Sequence, residues 1–75
     1  MADDEAIILF YTMTEVFKAE KALKRRGIEV KIVPVPRELS SDCGISVSIA
    51  AQEREQARQI LDDAGVEYSG IHQAR

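Results

Sequence analysis

The chain has 75 residues, 45% hydrophobic and 31% charged, with a formal net charge of -3. That length supports one core and excludes a multidomain enzyme with a large cleft, while the mixture is that of a globular chain, so a single domain over 1–75 is expected. A net negative protein is poorly suited to nucleic acid by bulk electrostatics, and one cysteine closes no internal disulfide.

Met1-Ala-Asp-Asp-Glu5 reads as an acidic, disordered leader without the basic start of a secretion signal. Ala6 to Tyr11 is an apolar run of β-formers, predicted as a central strand and far too short to cross a bilayer. A cytoplasmic location follows as the expectation, with neither membrane nor nucleic acid as partner. From Thr14 to Arg26, Val16, Ala19 and Leu23 recur at helical spacing, with Phe17 and Ala22 widening the stripe and Gly27 closing the helix. Its start has two candidates: Thr12 with Glu15 matches a capping box, and Thr14 is a good N-cap alone. Ile28 to Ile32 alternates apolar and charged residues as a half-buried strand does, and Pro34 suits the end of an edge strand. Ile45 to Ile49 alternates again, Ala57, Ile60, Leu61 and Ala64 mark a second helix from about Gln52 to Gly65, and Val66 to Ile71 reads as a last strand.

The order βαββαβ is reinforced by a weak repeat, ALKRRGIEV (Ala22 to Val30) against ILDDAGVEY (Ile60 to Tyr68). Two βαβ halves in series predict an α+β, ferredoxin-like sandwich, a four-stranded antiparallel sheet in order 4-1-3-2 with two helices on one face. Ile45, Val47 and Ile49 should face the helices. Ser46 and Ser48 would then share the open face with apolar residues of the first strand, a candidate homodimer contact.

Between the second and third strands lies PVPRELSSDCG, Pro34 to Gly44, which holds the single cysteine, Cys43. In this topology the third strand begins where the first strand ends and the first helix starts. That places Cys43 near Thr12 and Thr14, at a helix N-terminus whose unpaired N–H groups favour an anion such as a thiolate. Arg37 would add to the field and Ser40 and Ser41 could donate to a bound anion, whereas Asp42 and Glu15 oppose it. Gly44 permits close approach of a ligand or partner. A lone cysteine is otherwise a small packing residue, the serines turn formers, and Arg37 a solvated charge. Lys18, Lys21, Lys24, Arg25, Arg26 and Lys31 make the first half basic, ordinarily a solvated face but able to meet an acidic protein or an RNA backbone. His72 has no partner in sequence, and neither a metal motif nor a phosphate loop is present.

Lys18 to Gly44 resembles the small bacterial domains of the selenium/sulfur carrier-like family, through Lys18-Ala19-Glu20, Leu23-Lys24, Gly27-Ile28, Pro34-Val35-Pro36-Arg37 and Ser40-Ser41-Asp42-Cys43-Gly44. The resemblance implies a carrier rather than an enzyme, with Cys43 accepting sulfane sulfur or selenium as a persulfide or selenopersulfide and passing it on. It needs no cofactor. The implied partners are a donor such as a cysteine desulfurase and an acceptor protein. Unlike the relay proteins of tRNA thiolation, whose Cys-Pro-x-Pro motif opens a helix, here the prolines precede the cysteine and a strand follows it. The competing reading from another class is a regulatory ligand- or protein-binding module in which Cys43 is structural, and a thiol redox sensor is a third.

Overall fold

A computed structural model of the protein describes residues 4–35 and 44–74. The elements run β1 (Glu5–Leu9), α1 (Met13–Arg25), β2 (Lys31–Pro34), β3 (Ile45–Ala50), a 3-10 turn (Ala51–Glu53), α2 (Arg54–Ala64) and β4 (Gly70–Ala74). The fold is α+β, with one four-stranded sheet ordered β2-β3-β1-β4 in which every neighbouring pair is antiparallel.

β1 is central because its apolar run serves both faces of the sheet: Ala6 through Phe10 are all buried. Ala6, Ile8 and Phe10 join Val47 and Ile49 of β3, Val16, Ala19 and Leu23 of α1, and Ala57, Ile60 and Leu61 of α2 in one cluster. Ile45 packs against its edge. The expected alternation in β3 therefore holds, with Ser46 and Ser48 on the other side of the strand. Both serines are buried and satisfied: Ser46 donates to the Val33 carbonyl at 3.2 Å and Ser48 to Glu5 Oε1 at 2.8 Å.

Three expectations need correction. β1 begins at Glu5 and ends at Leu9, so it takes in the last residue of the acidic leader and leaves Tyr11 outside. Phe17 does not widen the buried stripe, because one residue past Val16 it turns about 100° around the helix and emerges 53% exposed. Ile7 and Leu9 do point away from the helical cluster, yet each is only 3% exposed, so neither offers the exposed apolar surface expected of β1 on that face.

β2 and β4 each start later than the alternating pattern suggested, for the same reason. Both helices end on a glycine at positive φ, Gly27 at 86° and Gly65 at 73°. The next residue then folds back: Ile28 N–H donates to the Leu23 carbonyl at 3.0 Å, and Val66 N–H to the Leu61 carbonyl at 2.9 Å. This pair of Schellman closures occupies the backbone of Ile28 and Val66, whose side chains enter the core instead of opening a strand. The ladder resumes at Lys31 and Gly70. Pro34 is the last residue of edge strand β2, where its missing N–H costs no ladder bond. His72 lies within β4 opposite Ile7.

Candidate functional site

The loop that carries the cysteine leaves the sheet from Val35 and re-enters at Gly44. These two residues are tied together: Val35 N–H donates to the Gly44 carbonyl at 3.3 Å, extending the β2–β3 ladder one step past Pro34 and Ile45. Gly44 has φ of 77°, a conformation that side chains rarely adopt, although a Cβ there would meet nothing within 4 Å. The glycine is needed for the turn of the backbone rather than for space. Cys43, Arg37, Ser40 and Ser41 lie outside the described residues. In sequence Cys43 directly precedes Gly44, a described position.

That position is at the helix-start end of the sheet. β1 and β3 are registered with Leu9 opposite Ser46, so Gly44 lies beyond the end of β1 on the side where the chain turns into α1. The helix opens at Thr12, whose extended backbone (φ -139°, ψ 160°) and hydroxyl make it the N-cap: Thr12 Oγ1 accepts from Glu15 N–H at 3.3 Å. Val16 N–H reaches the Thr12 carbonyl at 3.3 Å. The other donors of this first turn, on Met13 and Thr14, have no partner among the described residues. Thr14 is an exposed residue inside the first turn and not the cap.

The capping box is only half formed. Glu15 does not reach back to Thr12; its Oε1 accepts from Glu67 N–H at 3.2 Å, pinning the α2–β4 connection to the start of α1. A carboxylate thus sits in the first turn of the helix and offsets part of the positive end of the dipole. Nearby, Tyr11, Asp62, Val66, Glu67 and Tyr68 line a shallow depression of about 590 Å³. Burial is the main cause that raises the Tyr68 phenol above its ordinary value of 10.0, with the Asp62 charge second, Arg58 opposing and Glu55 adding.

A second groove, about 610 Å³, lies at the other end of the sheet, where β1 and β2 begin and β3 ends. Asp4, Glu5, Glu29 and Glu53 line it against one cation, Lys31. It suits an anion poorly. Among the described residues no group of His, Cys, Asp and Glu is arranged to hold a metal ion, and no helix is long and apolar enough to cross a membrane.

Composition and periodicity missed the exposed apolar side chains around the helix start. Tyr11, Met13 and Phe17 are 54%, 50% and 53% exposed. The available signal was angular: Met13 and Phe17 are four residues apart, on a line that misses Val16, Ala19 and Leu23.

No curated protein and no solved structure gives a significant match to the chain. Residues 5–73 match the family described as "Putative Se/S carrier protein-like", and with nearly the whole chain covered the protein belongs to that family.

Proposed function

We propose that this family member carries sulfane sulfur or selenium on Cys43 as a persulfide or selenopersulfide and relays it between a donor and an acceptor protein in the cytoplasm. The observation that supports it is the family match, which spans the Cys43 loop together with the elements that anchor its two ends. We take the fold to be the ferredoxin-like sandwich, in keeping with a sheet that reads 4-1-3-2 from its β4 edge and with helices sharing one core.

The chemistry asks little of the protein. The Cys43 thiolate attacks the terminal sulfur of a donor persulfide, forming a new S–S bond while the donor's S–S bond breaks and its cysteine leaves as thiolate. The transferred atom keeps its oxidation state, so neither oxidant nor reductant is consumed. A carrier needs an accessible thiolate and a site for the terminal anion. The Met13 and Thr14 N–H groups, without a partner among the described residues, and the Thr12 and Thr14 hydroxyls lie at the sheet end where the chain re-enters at Gly44; Arg37, Ser40 and Ser41 complete the proposed anion site, and Gly44 gives the loop its turn. The donor would be a cysteine desulfurase or a related enzyme. A homodimer through the open sheet face has little apolar surface behind it, since Ile7 and Leu9 are 3% exposed; a monomer by sedimentation at high concentration removes it.

Cys43→Ser is the test. After incubation with polysulfide the wild-type mass rises by one or more sulfur atoms, reversibly on adding thiol, and the variant's mass does not change while its melting curve stays close to wild type. Equal sulfur uptake by the variant removes the carrier role. Intact partner or ligand binding by a variant that carries nothing points instead to a binding module with a structural cysteine.

A further inference from the structure

The exposed side of α1 carries two features that the core does not use. Met13, Phe17, Lys21 and Arg25 follow one another at four-residue intervals, so they form one stripe along the helix, apolar at its start and cationic toward its end. Tyr11 extends the apolar end. Lys24 is engaged by Glu20 at 3.0 Å, but Lys18, Lys21 and Arg25 are exposed and form no ion pair among the described residues. The helix holds four cations against two carboxylates in a chain of net charge -3, so its positive face stands out from the rest of the molecule.

We propose that this stripe, with Lys18 on the adjacent row of the helix, is the docking surface for the donor of the carrier cycle, an acidic protein surface that presents an apolar knob to Met13 and Phe17 and carboxylates to Lys18, Lys21 and Arg25. The inference rests on the carrier role and adds to it the face by which the partner is recognised. Aromatic, methionine and arginine side chains are the types enriched at protein interfaces, and here they adjoin unpaired charge. The apolar end of the stripe also lies where β1 passes into α1, at the same end of the sheet as Gly44, the residue that follows Cys43 in the chain. A lipid surface is the poorer fit: Val16, Ala19 and Leu23 are committed to the core, leaving Met13 and Phe17 as the large exposed apolar side chains of α1 where an interfacial helix needs a continuous face.

The test is direct binding to an immobilised cysteine desulfurase of the same cell, with sulfur loading from polysulfide measured separately. Phe17→Ala and the pair Lys18→Glu, Lys21→Glu alter exposed positions, and their melting curves serve as the control for folding. Each is expected to weaken binding roughly tenfold, wild-type affinity should fall as salt rises, and polysulfide loading of Cys43 should be unchanged. Wild-type affinity in both variants, or no binding of the desulfurase by the wild-type protein, overturns the docking surface. So does a salt-dependent, Phe17-dependent attachment to anionic vesicles or to a second copy of the chain in place of the enzyme. Failure of polysulfide to load Cys43 while the binding differences persist strikes the carrier role and leaves the surface standing.

Discussion

Thr12 and Thr14 are two residues apart and chemically identical, but only one is tied into the fold. The Thr12 hydroxyl replaces a missing helical acceptor, whereas Thr14 is exposed within the turn. Thr12→Ala should cost about 1 kcal/mol in urea unfolding, and Thr14→Ala should remain within about 0.5 kcal/mol of wild type; equal losses would contradict the assignment of the cap. Sequence offered both threonines and could not choose, because the choice depends on where β1 stops. Tyr68 gives a second check at this scale. Burial first and the Asp62 charge second hold its proton more tightly in the native state, so the unfolded chain releases it first. Stability from this group is intact below about pH 10 and declines as pH rises toward the native value. With Tyr11 replaced by phenylalanine, absorbance titration of the remaining phenol should show a midpoint higher in the folded protein than in denaturant; coincident midpoints would refute it.

At the scale of elements, the repeat ALKRRGIEV and ILDDAGVEY acquires a physical meaning: each is a helix end closed by Leu, Gly and a β-branched residue in the same positions. The order of elements, the glycine closures and the centre of each amphipathic stripe were legible because periodicity and special backbone conformations act locally, whereas Phe17 and Ala64, assigned to the stripes, are exposed. The beginnings of β2 and β4 were not, since Ile28 and Val66 look like strand residues until their N–H groups are seen bonded back to Leu23 and Leu61. Leu23 belongs both to this closure and to the core, where it is fully buried. Leu23→Ala is expected to destabilise the protein by about 2 to 5 kcal/mol in denaturant unfolding; a loss under about 1 kcal/mol would mean that the two helices do not share the core described.

Across the whole molecule, the two ends of the sheet differ in the side chains they gather. One end holds the acidic groove of Asp4, Glu5, Glu29 and Glu53. The other gathers the start of α1, the tied loop ends at Val35 and Gly44, and the exposed Tyr11, Met13 and Phe17. From strand order alone Cys43 is expected at that end, and it lies outside the described residues; the apolar surface at that end depends on which helical residues the core leaves out. The central claim is that Cys43 is an exposed thiol with raised reactivity, and the most direct measurement is the pH dependence of its alkylation, read by mass, in the folded protein and in denaturant. The account predicts faster reaction in the folded protein, with a midpoint below the free-thiol value of about 8.5. A thiol that reacts only after unfolding would contradict it and make Cys43 a packing residue.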